Sequence, residues 1–166
     1  MNKINVIIVD DHSIVSDGIE ALLSNTEDIQ VVSKVRDLTQ LFIDLRRYRA
    51  RIVMVNVYEA NAADIETISS IVKKHSEVKI LILSMSSEEN FILKTLKAGA
   101  KGYLSNDTYR NQLIEAIYTL RNGYEYYSKS ISSVILRSYI NSNNGEQVKK
   151  ELDMKALSNR ESEVLK

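Results

Sequence analysis

The sequence predicts a doubly wound α/β sandwich built on a five-stranded parallel sheet, followed by a helical extension. Three observations carry this expectation. Short β-branched runs alternate with segments of helical period from Ile4 to Leu120. Several runs, such as Ile52-Val53-Met54-Val55, are apolar at every position, as strands covered on both faces require. The joints between them are short, so each return crossing must be made by the helix itself, in the right-handed sense.

Taken in order, the strands are expected at Ile4–Val9, Ile29–Val35, Ile52–Val57, Val78–Ser84 and Lys101–Leu104. Between them lie five apolar stripes. Ile14, Val15, Ile19, Leu22 and Leu23 form the first; Leu38, Leu41, Phe42 and Leu45 form the second. Ile65, Ile68, Ile71 and Val72 follow, then Phe91, Ile92, Leu96 and Ala98, and finally Leu113, Ala116, Ile117 and Leu120. Core packing is the expected role of every stripe. After Gly123 one more helix is expected over 129–140, with Ile131, Val134, Ile135 and Ile140 on its apolar side. Asn141-Ser142-Asn143-Asn144-Gly145 reads as a flexible linker. Ser158 and Glu161 then form a capping box, which starts a new helix near 159.

Composition narrows the function classes. The 166 residues hold 22 Lys+Arg and 22 Asp+Glu, so no net field draws the chain to nucleic acid, and any such binding must be local. No cysteine is present, which excludes disulfides and thiolate metal sites. Proline is absent too, so turns rely on Gly, Asn, Asp and Ser. The opening run Ile4–Val9 is too short for a membrane span or signal peptide, and a cytoplasmic location with no membrane association is expected.

In an open parallel sheet, ligands sit beyond the carboxyl ends of the strands. Asp10 and Asp11, Asn56, Ser84, and Ser105-Asn106 stand at those ends. The adjacent carboxylates of Asp10 and Asp11 suit a hard cation such as Mg²⁺, or alternatively cap the following helix at the positive end of its dipole.

Three motifs resemble response regulators of the NarL/LuxR (NarL/FixJ) type. Val9-Asp10-Asp11-His12, with Gly18-Ile19-Glu20-Ala21-Leu22-Leu23, resembles the opening of their receiver domains. Leu96-Lys97-Ala98-Gly99-Ala100-Lys101-Gly102-Tyr103-Leu104 resembles the approach to their fifth strand. Leu157–Leu165 resembles the first turns of the LuxR-type helix-turn-helix domain. The resemblance implies a flavodoxin-like receiver with strand order 2-1-3-4-5 over residues 1–123. A helical extension and linker would occupy 124–156, and an incomplete DNA-binding domain 157–166.

In that family a sensor kinase's phosphoryl group passes to an aspartate at the end of the third strand, with Mg²⁺ on the acidic pair. By position, Asp10 and Asp11 match the pair, Ser84 the hydroxyl switch and Tyr103 the aromatic switch. Asn56 stands at the acceptor position and Asn106 at that of the phosphoryl-contacting lysine. Tyr58-Glu59-Ala60-Asn61 replaces the loop that usually holds a Met-Pro pair.

The departures have chemical consequences. An acyl phosphate needs an ionised carboxylate as nucleophile, and the neutral amide of Asn56 cannot supply it. It can instead donate hydrogen bonds, which Asp10 or Asp11 could accept without a metal. Losing the lysine removes the cation that steadies a transferring phosphoryl group. One charge of each sign is gone, and Mg²⁺ binding at Asp10 and Asp11 is expected to be weak at most. An engineered Asp→Asn change at 56 would be the rival explanation; the missing lysine and altered loop argue against it.

The expected function is an atypical transcription regulator whose receiver domain acts as a phosphorylation-independent dimerisation or signal-input module. It would be a homodimer, bind DNA through a C-terminal domain beyond this sequence, and need no cofactor and no enzymatic step. The alternative is a stand-alone module that binds another regulator or a sensor kinase. A flavodoxin-like enzyme ranks last, because Asp10-Asp11-His12-Ser13 would repel a flavin phosphate. Tyr109 and Tyr118 on the fifth helix are candidate dimer residues. His12 and His75 read as surface or loop histidines, and Arg46-Arg47-Tyr48-Arg49-Ala50-Arg51 as a solvated helix end. Tyr124, Tyr126 and Tyr127 are expected to pack the final helix.

Overall fold

In the computed structural model the backbone is described for residues 2–164, and the side chains of these residues except Val148 and 158–164. The elements run β1 Ile4–Val9, α1 Ser13–Ser24, β2 Ile29–Val35, α2 Leu38–Tyr48, β3 Ile52–Val57 and α3 Ala62–Lys74. Then come β4 Lys79–Ser84, α4 Glu89–Ala98, β5 Gly102–Ser105, α5 Arg110–Arg121, β6 Tyr126–Tyr127 and α6 Lys129–Val164. The sheet order is β2-β1-β3-β4-β5-β6, parallel throughout. The expected flavodoxin-like order therefore holds, with one strand added at the edge. Two compact units are distinguished, Met1–Ile131 and Ser132–Lys166.

Strand alternation sorts the apolar side chains into two layers. Val6, Ile8, Met54, Leu81 and Leu104 pack with Ile19 and Leu23 of α1 and Leu113, Ala116, Ile117 and Leu120 of α5. Ile7, Val53, Val55, Ile80 and Ile82 are equally buried, and alternation turns them to the opposite face. There α2, α3 and α4 offer Leu41, Leu45, Ile68, Ile71, Phe91 and Ile92. The α1 stripe is narrower than expected: Ile14 is 84% exposed and Leu22 45%, whereas Ser16 is buried. Gly102 permits close packing, since a Cβ there would lie 2.6 Å from Leu81 Cδ1.

Local chemistry ends the helices. Asp37 accepts from Gln40 N at 2.8 Å and Asn61 from Asp64 N at 2.9 Å, satisfying free N–H groups of α2 and α3. Arg49 caps α2 in the left-handed region, φ 50°, as the only non-glycine with positive φ among the described residues. A Cβ disfavours this conformation, and glycine is the usual occupant.

Two expectations are corrected. Of the tyrosines after Gly123, Tyr124 is exposed, and Tyr126 and Tyr127 make a strand: Tyr126 N donates to Lys101 O at 3.1 Å and Ser128 N to Tyr103 O at 3.0 Å, extending the sheet beyond β5. The flexible linker at 141–145 is helical within α6. Asn and Ser are weak helix formers but not breakers, and no proline interrupts the run. The backbone also continues as helix through 158–164 without a new start, while the Ser158 and Glu161 side chains lie outside the described residues. No helix of the described residues is long and apolar enough to cross a membrane.

Candidate functional site

Register builds the site. β1 pairs with β3 through Val9↔Val55, which brings the next residues, Asp10 and Asn56, side by side at the carboxyl edge. β3 pairs with β4 through Val57↔Ser84, and β4 with β5 through Ser84↔Ser105. Asp10 N is fixed by Val35 O at 3.0 Å.

The Asp10 side chain has 0% exposure. Its carboxylate accepts Asn56 Nδ2 at 2.6 Å, the His12 backbone N–H at 2.8 Å, and the Tyr58 hydroxyl at 2.8 Å from Oδ1 and 2.9 Å from Oδ2. Three protein donors thus compensate the desolvation of a buried charge. The opposite amide orientation would set Asn56 Oδ1 against Asp10 Oδ2, so charge fixes the amide as found. Asn56 Oδ1 is buried without a hydrogen-bond partner. Burial, then the hydrogen bond to Asp10, push the Tyr58 phenol up to about 12. The His12 ring leans on Tyr58 at 4.2 Å between centroids, with its Nδ1 3.6 Å from Asp10 Oδ1.

The other expected residues stand apart from this network. Asp11 and Asn106 are exposed. Ser84 is buried, its Oγ accepting from Ser86 N at 3.0 Å. Tyr103 is fully buried and its hydroxyl lies near Ser84 without reaching hydrogen-bond distance; burial raises its pKa and the nearby Ser84 hydroxyl tempers the rise. At the end of β5, Ser105 Oγ donates to Asp107 and lies 3.3 Å from Ser128 Oγ. Tyr58 was not expected in the site. It lies just past the end of β3, in a bend, and the only signal in the sequence was its place in the loop after Asn56. His75 caps α3 and stacks on Phe42 at 5.5 Å, away from the site.

Comparison with known proteins decides the family. The family model described as the response regulator receiver domain matches residues 6–118. The chain belongs to the response regulator receiver family. Its relatives are of the NarL/LuxR type. It is 29% identical to the oxygen regulatory protein NreC of Staphylococcus epidermidis over 162 residues, covering 96% of this chain and 74% of NreC. It is 26% identical to the transcriptional regulatory protein DegU of Brevibacillus brevis over 174 residues, covering 99% of this chain and 74% of DegU. Among solved structures, a LuxR-family two-component response regulator from an Aurantimonas species superposes with a TM-score of 0.75 at 26% identity, covering 84% of this chain and 99% of that one. The isolated receiver domain of RcsB from Salmonella enterica serovar Typhimurium, with the phosphomimetic BeF3-, gives 0.70 at 26% identity, covering 80% and 99%.

A receiver of this family is expected to place Mg²⁺ on its acidic pair. A divalent cation wants several open oxygen ligands in near-octahedral array. Here the Asp10 carboxylate is enclosed by an amide, a phenol and a backbone N–H, and Asp11 points to solvent without joining it. Among the described residues no group of three or more His, Cys, Asp or Glu side chains could hold a metal ion. In this arrangement the receiver's residues do not fit Mg²⁺.

Proposed function

We propose that this response regulator controls transcription without aspartyl phosphate, its receiver acting as a dimerisation or signal-input module. The observation that carries the reading is the buried Asp10 carboxylate, which accepts hydrogen bonds from Asn56, Tyr58 and the His12 N–H. On this reading Asn56 occupies the acceptor position and Asn106 that of the lysine, so the chain has no nucleophile and no cation for phosphoryl transfer. Tyr58 supplies in their place a permanent donor that holds the carboxyl edge in one state. Mg²⁺ binding at Asp10 and Asp11 is correspondingly weak, and no catalytic step falls to the chain.

Output would pass to DNA through a helix-turn-helix whose first turns are Leu157–Leu165, as a homodimer on paired half-sites. RcsB, which superposes with a TM-score of 0.71 at 26% identity, is described as two dimers bound to two parallel DNAs. Tyr109, 74% exposed at the start of α5, is available to a partner copy, whereas the Tyr118 hydroxyl is committed to Asp28.

Intact mass after incubation with Mg²⁺ and a small-molecule phosphodonor tests the reading. The expected result is an unmodified chain. A stoichiometric, hydroxylamine-labile adduct would show that another carboxylate has taken over and would end the proposal.

A further inference from the structure

At the amino-terminal edge of the sheet, opposite Asp10 and Asn56, the surface sinks into a groove of about 610 Å³. Five cations line it: Lys3 before β1, Arg49 at the α2 cap, Arg51 before β3, Lys79 on β4 and Arg121 at the end of α5. The one acid in the lining is Glu77, whose carboxylate lies 3.6 Å from His75 Nδ1.

Among the described residues, none of the five cations forms an ion pair. Elsewhere Lys34 is held by Asp17 and Glu20, and Lys101 by Glu125. In a chain with equal numbers of acids and bases, this leaves a local excess of positive charge at the groove. Arg49 adds a second, independent observation. It sits in the left-handed conformation, φ 50°, at a cap where glycine would be cheaper. The basic run therefore divides: Arg46 and Arg47 lie in the last turn of α2, where they complement its dipole, whereas Arg49 and Arg51 line the groove.

We propose that this groove binds a small oligophosphate anion. The cations come from four separate segments around one depression, Arg49 and Arg51 sharing the α2–β3 joint, an arrangement that surrounds a compact ligand rather than tracking an extended strand. The volume lies within the range of about 300–1,000 Å³ usual for small-ligand sites. Arginine forks and lysine ammonium groups are the donors that phosphate oxygens take best.

Calorimetric titration of the 166-residue chain with inorganic triphosphate, adenosine triphosphate and a short random-sequence duplex tests this, at low and physiological ionic strength. Saturable one-to-one binding of inorganic triphosphate is expected. Equal binding of adenosine triphosphate supports recognition of the phosphate chain alone; tighter binding supports a nucleotide. Arg49→Gly is expected to weaken binding about tenfold, as loss of a charge-assisted contact does. Its melting temperature should hold or rise by a few degrees, because glycine relieves the left-handed cap. Glu77→Gln should tighten binding by roughly threefold, a gain that misfolding cannot produce. Lys101→Ala, outside the groove, should change nothing. The proposal is overturned by no triphosphate binding, by affinity indifferent to Arg49→Gly and Glu77→Gln, or by the duplex outcompeting triphosphate.

Discussion

Tyr58→Phe isolates the contact on which the functional reading turns. The phenol donates to both oxygens of Asp10, at 2.8 and 2.9 Å, and the carboxylate has no solvent to replace it. The substitution keeps the ring against His12 and removes only the donor. A hydrogen bond to a charged group contributes about 1.5–3 kcal/mol. Asn56 and the His12 N–H remain on the carboxylate, so the expected loss is about 2 kcal/mol, or a melting temperature lower by about 4–8 °C for a chain of this size. Thermal and urea unfolding of both proteins near neutral pH would measure it. The pH dependence adds a second signature. Burial and Asp10 raise Tyr58 from 10.0 to about 12, so between these values the unfolded chain has lost the phenolic proton and the folded chain keeps it. Stability from this group is complete below pH 10 and is lost as pH rises through about 12. The difference between the two proteins should therefore narrow above pH 10. Equal melting temperatures near neutrality, or a gap that widens in alkali, would refute the reasoning.

Two further substitutions probe the same edge. Asn56→Asp replaces the donor 2.6 Å from Asp10 Oδ2 by a like charge, and should cost about 2–4 kcal/mol in melts without divalent cation. Added Mg²⁺ should return part of that loss in the variant and none in the parent; a variant as stable as the parent without Mg²⁺ would contradict the charge argument. Tyr103→Phe removes a buried hydroxyl that has no partner, and should leave stability unchanged or raise it by up to about 1 kcal/mol. A clear loss of stability in urea unfolding would mean the hydroxyl is bonded in solution.

Most of the fold was legible because β-branched runs and helical stripes announce buried faces. The limits of β1, β2 and β3 coincide with expectation, and β4 and β5 differ by a residue at their ends. What escaped had weak local signals. β6 is a two-residue strand stabilised by the exposed edge of β5, a tertiary cause no local pattern carries. Residues 141–145 read as linker by composition, yet nothing in them forbids helix. At the site, the meeting of Asp10 and Asn56 followed from strand ends alone. Tyr58 was seen only as a departure from a loop pattern, because its role depends on a bend that carries its hydroxyl back over Asp10. His12 looked like a surface histidine, and its side chain is 56% exposed, but its backbone N–H donates to the carboxylate and its ring lies against Tyr58.

The two-residue strand β6 bears on what the edge of the sheet offers to other chains. An open parallel edge presents N–H and C=O groups to any other chain that can lie alongside it. Tyr126 N and Ser128 N occupy the carbonyls of Lys101 and Tyr103, so a foreign strand finds that stretch of β5 already taken. Versions of the chain ending before Tyr126 would keep α1 to α5 yet lose α6, with the buried Ile131 and Val134, and leave the edge of β5 bare, so they are expected to self-associate more readily than the full chain.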